Sequence, residues 1–241
     1  MATLKVINKW DNKKAENLVN KAFENIKFPA AKILVVLENR PLTGPNIGET
    51  LPKQLIRLEP LDSLFLKYRD DWDCCIAISG KIHSMFENFN AYFLQLFGHE
   101  LGHCHICLYD FYAHIFSRFL ELHINKIIGN PIRFPYELPH EKLCEQFGIA
   151  IAEKIFSREK LNIEINELIK SGKSTDIVRL KFILKTDNIS DLSNLRRELI
   201  QFVGPYKKEI IDFWNDWVDK KGDRTILKFI PNIENFLSSL I

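Results

Sequence analysis

The feature that most constrains this chain is an apolar segment that runs directly into a cluster of histidine and glutamate residues. Residues 91–97 read A-Y-F-L-Q-L-F, and residues 98–103 follow as G-H-E-L-G-H. The apolar run predicts a largely buried helix, on which residues four positions apart share one face. His99 and His103 then point the same way, with Glu100 beside them. Because buried polar groups need partners, the two imidazoles are placed to bind one metal ion.

The letters H-E-x-x-H are also the signature sequence of zinc peptidases. In that chemistry two imidazoles bind the zinc ion, and the glutamate holds and deprotonates a water molecule. Gly102 leaves the helix surface open between the two histidines, at a cost of about 1 kcal/mol relative to alanine. The alternative is a plain helical scaffold in which the motif occurs by chance, as two solvated histidines on a polar face.

Charge and hydropathy exclude several kinds of partner. The 241-residue chain has 33 basic and 31 acidic side chains and a formal net charge of +2. Since it has no basic cluster interleaved with aromatic residues, we expect no nucleic-acid partner. Its N-terminus lacks the layout of a signal peptide, and its apolar runs are far shorter than the roughly 20 residues that span a bilayer. We therefore expect a cytoplasmic protein that does not bind membranes.

The cysteines predict reduced thiols. There are five of them, an odd number without regular spacing, which does not fit a disulfide framework. Cys104 and Cys107 form a C-x-x-C pair, but the pair directly follows His103 on the predicted helix and has no second C-x-x-C partner. We interpret both as packing residues. The full set is Cys74, Cys75, Cys104, Cys107 and Cys144.

The hydrophobic pattern predicts an α+β chain. Strands are expected at residues 5–7, 32–37, 54–58 and 74–79, and an irregular segment at residues 39–52. Helices are expected at residues 11–25 with Asp11 as the cap, from residue 82 or 84 to at least 105, onward to 128 after a break near 109–110, and at 140–156. We place one domain at residues 1–160 and a helical C-terminal extension at residues 161–241. Trp214 and Trp217 are expected to pack this extension onto the core.

A catalytic zinc ion takes three protein ligands, so a further ligand is expected downstream of the motif. Residues 141–148 read E-K-L-C-E-Q-F-G. This segment resembles the glutamate helix of the gluzincin metallopeptidases, written E-x-x-A-(D/N)-x-F-A in their ImmA/IrrE-type and Ste24/HtpX-like branches. The resemblance covers roughly residues 74–156. The chain departs from the pattern by Cys144 for Ala, Glu145 for Asp or Asn, and Gly148 for Ala.

The resemblance implies a zincin-like fold in which a small mixed sheet precedes the active-site helix and the glutamate helix. It implies one Zn²⁺ per chain, bound by His99, His103 and Glu141, with Glu145 contacting a ligand histidine. The implied activity is hydrolysis of a peptide or protein substrate, with Glu100 as general base. The rival interpretation is a catalytically silent zincin-fold protein that serves in regulation or binding.

The same resemblance implies that an edge strand of the sheet aligns the substrate backbone. The strand at residues 74–79 is placed for this role, which makes its central residues substrate-binding candidates, although a plain core strand fits the sequence equally well. The candidates are Cys75, Ile76, Ala77 and Ile78.

Glu121 is an alternative candidate for the third metal ligand, and the residue that stabilises the oxyanion is not assigned. Glu121 follows His103 at a spacing close to that of thermolysin-like enzymes, but the bulky Ile124 stands where a small residue is needed, so we favour Glu141 as the third ligand. Gluzincins commonly stabilise the oxyanion of the reaction with a Tyr or His. The sequence offers several such residues without choosing among them: Tyr112, His114, His123, Tyr136 and His140.

Overall fold

The computed structural model describes residues 2–42, 47–56, 71–129, 135–172, 176–187, 191–219, 226, 229–230 and 232–240. Within them the chain is α+β, as predicted, with a four-stranded mixed sheet and a larger helical part. Every helix in these segments falls short of the length and apolar character that a membrane crossing requires. The strands are β1 (Thr3–Asn8), β2 (Lys32–Leu37), β3 (Gly48–Pro52) and β4 (Cys74–Ile78).

The strands stand in the order β1-β2-β4-β3. β2 is parallel to β1 and β4, whereas β3 runs antiparallel to β4 at the edge. The two central strands are buried on both faces, which fits their continuous apolar sequences. Ile33, Val35 and Ile76 face the main helical core, and Leu34 and Cys75 face a smaller cluster on the other side of the sheet.

The prediction that β4 is an edge strand is wrong. Cys75, Ile76, Ala77 and Ile78 pair with β2 on one side and with β3 on the other. Both edges of β4 are therefore occupied, so a substrate strand cannot add to it. The alternative of a core strand is the one that the structure shows.

Among the described residues β1 and β3 are the two edge strands. β3, the edge strand next to β4, lies in a segment that the sequence predicted to be irregular. Gly48 and Pro52 are poor strand formers, and Pro52 stands at the end of an edge strand, where proline is tolerated. Pairing with the buried β4, more than local propensity, makes this segment a strand. The strand predicted at residues 54–58 is also wrong over its described part, because Lys53–Ile56 forms a short helix; residues 57 and 58 lie outside the described segments.

The helices are α1 (Lys13–Glu24), α2 (Lys53–Ile56), α3 (Gly80–His83), α4 (Asn90–Tyr109), α5 (Phe111–Ile127), α6 (Pro139–Ile155), α7 (Arg158–Ser171), α8 (Ile177–Lys185), α9 (Leu195–Val203), α10 (Lys207–Asp219) and α11 (Ile233–Ser239). Asn12, rather than Asp11, caps α1, since its side chain accepts from the Ala15 N–H and Asp11 has a φ of 53°. The predicted break near residue 110 is confirmed. Asp110 closes α4 and caps α5 by accepting from the Ala113 N–H.

The C-terminal helices pack directly on α4 and α5. Glu164 on α7 accepts hydrogen bonds from the backbone N–H groups of Ala91 and Tyr92, at 2.8 and 2.9 Å. It thereby satisfies free donors at the N-terminus of α4. Trp214 is buried against Phe119 with 4.7 Å between ring centroids, so its predicted packing role is confirmed. The boundary predicted after residue 160 falls within α7, and one buried core runs from the first helix to the last.

The prediction of five reduced cysteines is wrong at two positions. Cys74 on β4 and Cys104 on α4 form a disulfide with 6.1 Å between their Cα atoms. The packing of α4 against the sheet brings together two residues that are 30 positions apart, and the cysteine spacing carries no sign of that contact. Cys75, Cys107 and Cys144 are free and buried.

Candidate metal centre

Small residues let α4 and α6 approach closely. A Cβ added at Gly98 would lie 2.7 Å from the Cα of Gly148, and one added at Gly148 would overlap the carbonyl oxygen of Gln95. One turn along, a Cβ at Gly102 would lie 3.1 Å from the Sγ of Cys144. Larger side chains at these positions would hold the two helices apart, so glycine fixes the distance over which polar side chains meet.

At this crossing His99, His103 and Glu141 bring one potential ligand atom each into a single group. The Nε2 atoms of His99 and His103 are 3.0 Å apart. The carboxylate of Glu141 lies 3.4 Å from each imidazole, with Oε2 towards His99 and Oε1 towards His103. The two motif histidines and the residue matched to the gluzincin ligand therefore converge from two helices.

This donor set fits zinc. Tetrahedral coordination with bonds of about 2.0–2.1 Å places ligand atoms about 3.3 Å apart, close to the separations of 3.0 and 3.4 Å seen here. Two imidazole nitrogens and one carboxylate are also a usual protein set for catalytic zinc. The two Nε2 atoms face each other. In neutral rings that carry their protons on Nδ1, both Nε2 lone pairs are free to bind one shared cation.

The electrostatics favour the protonation states that a metal ion needs at His103 and Glu141. They do not at His99, because burial would lower its pKa but Glu145 outweighs burial and raises it. Burial, the largest influence, holds the pKa of His103 well below its usual range. Burial alone would raise the pKa of Glu141, but His103, His140 and His99 outweigh it and hold that pKa well below its usual range. A neutral imidazole and an ionised carboxylate are the forms that bind a cation.

Glu100 lies at the junction of α4 and the edge strand. The Thr50 hydroxyl donates to Glu100 Oε2 at 2.7 Å and to the Glu100 backbone carbonyl at 2.9 Å. Gly48 faces the same carboxylate so closely that an added Cβ would overlap it. Glu100 is 7% exposed, and burial raises its pKa despite opposing effects of His99 and Thr50. β3 therefore holds this carboxylate against the helix.

Glu145 lies on the other side of His99 and is fully buried. Its Oε1 is 3.4 Å from His99 Nδ1. Arg179, on α8, donates to both carboxylate oxygens, and Gln95 donates to Oε2. Burial would raise the pKa of Glu145, but Arg179 and His99 lower it to about 2. The predicted contact of Glu145 with a ligand histidine is thus present, at the nitrogen opposite the Glu141 side.

The open candidates for oxyanion stabilisation fall in different places. His114 and His140 are buried beside His103, with ring centroids 6.4 and 5.9 Å away from it. Tyr112 is 54% exposed. His123 packs among aromatic rings, and Tyr136 donates to Asp176. Only the two buried histidines adjoin the site.

His140 and Glu121 form a further contact at the edge of the centre. The Nε2 of His140 is 3.2 Å from Glu141 Oε1 and 3.9 Å from Glu121 Oε2. Burial lowers the pKa of His140, but the two carboxylates outweigh it and raise it to about 9. The pair of carboxylates therefore favours positive charge at this position. Glu121 is not a member of the group formed by His99 and His103 among the described residues.

Three residues of the site were not found by sequence reasoning. Thr50 and Gly48 lie in the segment predicted to be irregular, and nothing in its pattern indicates a contact with the motif. Arg179 lies in the helical extension, where its one signal is a charged residue between apolar Val178 and Leu180. The four substrate-binding candidates on β4, by contrast, are fully buried in the sheet.

In comparisons with protein-family models, with curated proteins and with solved structures, we found no match to this chain. The chemistry of the site therefore has to be argued from its own residues.

Proposed function

We propose that this chain is a zinc-dependent metallopeptidase of the gluzincin type, with a zincin-like fold. One Zn²⁺ is held by His99, His103 and Glu141, and Glu100 serves as the general base. The observation that carries the proposal is that two imidazole nitrogens and one carboxylate converge from two helices. The two Nε2 atoms are 3.0 Å apart, and each lies 3.4 Å from one oxygen of Glu141. A motif that occurred by chance on a solvated helix face would not place its histidines against a largely enclosed carboxylate of another helix, and the Glu141 side chain is 13% exposed.

When bound, zinc supplies Lewis acidity and lowers the pKa of a coordinated water. Glu100 then takes one proton from the attacking water at a carboxylate oxygen, as the water oxygen bonds to the scissile carbonyl carbon. As the C–N bond breaks, Glu100 returns that proton to the leaving amine. Its raised pKa suits this exchange, because a more basic carboxylate accepts a proton from water more readily.

The remaining residues hold this arrangement in place. Thr50 fixes the rotamer of Glu100 from the edge strand. Glu145 orients His99 from behind, and Arg179 compensates the buried charge of Glu145. We assign the alignment of an extended substrate to β3 and not to β4, because β3 is the edge strand that contacts Glu100. A substrate backbone would pair with β3 as an added strand.

One observation favours the rival function, a zinc-holding regulatory or binding protein without catalysis. Glu100 is nearly buried and already engaged by Thr50, as a purely structural carboxylate would be. The two functions differ in whether Glu100 exchanges protons with a substrate water.

The deciding experiment compares wild type with Glu100→Gln, which keeps the side-chain size and removes the basic oxygen. Elemental analysis of protein prepared without chelator should find at least one zinc per chain in the wild type and in the variant. Cleavage of a peptide library or casein should fall by about 10²–10⁴-fold in the variant. Glu159→Gln, an exposed glutamate on α7, is the matched control and should cleave as wild type does.

Zinc content near zero in the wild type would rule out both functions. Zinc in both proteins with equal turnover would refute the role of Glu100. Zinc without cleavage of any substrate by the wild type would favour the regulatory function.

A further inference from the structure

A second group of potential metal ligands adjoins the first. Among the described residues, Glu121 on α5 joins His140 and Glu141 on α6, each offering one ligand atom within 4.8 Å of the others. Glu121 and His140 have no part in the proposed reaction. The group combines an imidazole with two carboxylates from two helices, so it is more than a cluster of acidic residues.

His140 is a buried polar side chain without a hydrogen bond, and it is aimed into this group. The side chain is 1% exposed, and neither ring nitrogen makes a hydrogen bond. Its Nε2 points between the two carboxylates, at 3.2 Å from Glu141 Oε1 and 3.9 Å from Glu121 Oε2. Leaving a buried polar group unsatisfied costs about 1–3 kcal/mol. A divalent cation held between Nε2 and the two carboxylates would satisfy all three groups, in place of the proton that the same carboxylates favour on His140.

Glu141 faces both groups with the same oxygen. Its Oε1 lies 3.4 Å from His103 Nε2 and 3.2 Å from His140 Nε2, while Oε2 lies 3.4 Å from His99 Nε2. One carboxylate is therefore positioned to bridge two ions. In two-metal hydrolytic sites the ions stand about 3.5–4 Å apart, a distance that a shared carboxylate spans.

We propose that Glu121, His140 and Glu141 bind a second divalent cation, with Glu141 bridging it to the zinc held by His99 and His103. The second site rests on the proposed function in that it shares Glu141 with the first. Its nitrogen and oxygen donors suit Zn²⁺ or Mn²⁺. It binds more weakly than the first site, because Glu121 keeps 33% of its side chain exposed.

Arg118 competes for the same carboxylate. Its Nη1 lies 3.7 Å from Glu121 Oε2, and its side chain is 53% exposed. Such an exposed pair is worth about 0–1 kcal/mol, so a divalent cation displaces it easily. Removing Arg118 should strengthen the second site and leave the first unchanged.

The test is a Zn²⁺ titration of metal-depleted protein against a chromophoric chelator. Wild type should bind two equivalents, one tight and one weaker. Glu121→Gln and His140→Gln should each weaken the second equivalent by more than about 100-fold, beyond the 10–100-fold cost of losing a supporting contact. The tight first equivalent should remain, which also shows that these variants fold. Arg118→Gln should tighten the second equivalent.

A wild type that binds one zinc, with no change in Glu121→Gln or His140→Gln, would overturn the second site while leaving the first intact. Loss of the tight equivalent in Glu121→Gln would also overturn it, since Glu121 would then serve His99 and His103. Both results are separate from the Glu100→Gln cleavage assay, which tests the proposed function.

Discussion

Histidine is used in opposite ways at two of the helix crossings in this molecule. At the polar crossing, where α4 meets α6, imidazoles face carboxylates across glycine contacts. At the aromatic crossing, where α5 meets α10, His123 packs against Phe213 and Trp217 with ring centroids 5.4 and 5.3 Å apart. Residue type alone therefore does not mark the site. The site is marked by small residues that bring the helix backbones together, because short polar side chains converge only where two helices lie close.

The comparison also separates two sources of stability. The aromatic crossing contributes apolar burial, which is indifferent to pH and to metal. The polar crossing is tied together by the Glu145–Arg179 pair and by the proposed metal ligands, so its strength depends on protonation and on zinc. Damage to one crossing should therefore be measurable apart from damage to the other.

The largest effect on zinc binding is expected from Gly148→Val, which should also destabilise the fold at the polar crossing. The new side chain meets the backbone of Gln95 and His99, so α4 and α6 must separate. Zinc affinity should fall by more than about 100-fold, beyond the cost of losing a supporting contact, and the free energy of unfolding by about 1–3 kcal/mol or more. Zinc titration and urea unfolding measure the two losses.

Substitutions at two further glycines serve as comparisons for Gly148→Val. The Cβ of Gly102→Ala would lie 3.1–3.3 Å from the Sγ, Cα and Cβ of Cys144, farther than the Cβ of a residue at position 148 lies from the Gln95 carbonyl oxygen, so its losses should be smaller. Gly204→Ala faces open space and should change stability by less than about 0.5 kcal/mol. Wild-type zinc affinity in Gly148→Val would show that the close approach of the helices does not set the site.

At the aromatic crossing, Trp214→Ala should lower the free energy of unfolding by about 3–5 kcal/mol, because it empties a buried volume. Zinc stoichiometry should stay as in wild type below the unfolding transition. Trp217→Ala should cost less, since Trp217 is only partly buried. Calorimetry with zinc analysis is the measurement, and loss of zinc from folded Trp214→Ala would break the separation between the two crossings.

The smallest effect concerns pH. The pKa of Glu145 is about 2 in the folded chain against an ordinary 4.5, so its ionised form stabilises the fold. That stability is fully present above about pH 4.5 and is lost as the pH falls towards 2. The loss should be on the order of 1–3 kcal/mol.

The matched variant for this effect is the double change Glu145→Gln with Arg179→Gln, which removes both charges. Urea unfolding at pH 6, 5, 4 and 3, with a chelator present, should show the wild type losing more stability than the double variant over this range. Parallel curves would mean that Arg179 does not hold the Glu145 carboxylate ionised.

The sequence predicted the helices that meet at the polar crossing, because their evidence is local. An apolar run, a motif with helical spacing and Asp110 as a cap are all readable within a few residues. The α+β class and strands β1, β2 and β4 followed from equally local patterns. That His99, His103 and Glu141 lie together was expected from the resemblance, and the structure brings them together.

What the sequence did not predict depends on contacts between distant residues. β3 becomes a strand by pairing with β4. Its glycine and proline are typical of irregular structure, which is why the sequence predicted an irregular segment there. The Cys74–Cys104 bond and the Arg179–Glu145 pair each join elements whose packing has no local signature. The order of strands, which turned β4 from an edge into a core strand, belongs to the same class.

The contact of Arg179 with Glu145 has a consequence for chain synthesis. The two residues are 34 positions apart, and synthesis proceeds from the N-terminus. While α4 and α6 have left the ribosome and α8 has not, Glu145 has no guanidinium to balance its charge in the interior. The nascent chain should therefore keep these two helices loosely packed until α8 arrives. A chain that stops before residue 177 would then lack a well-ordered site, even though it already contains every proposed zinc ligand and Glu100.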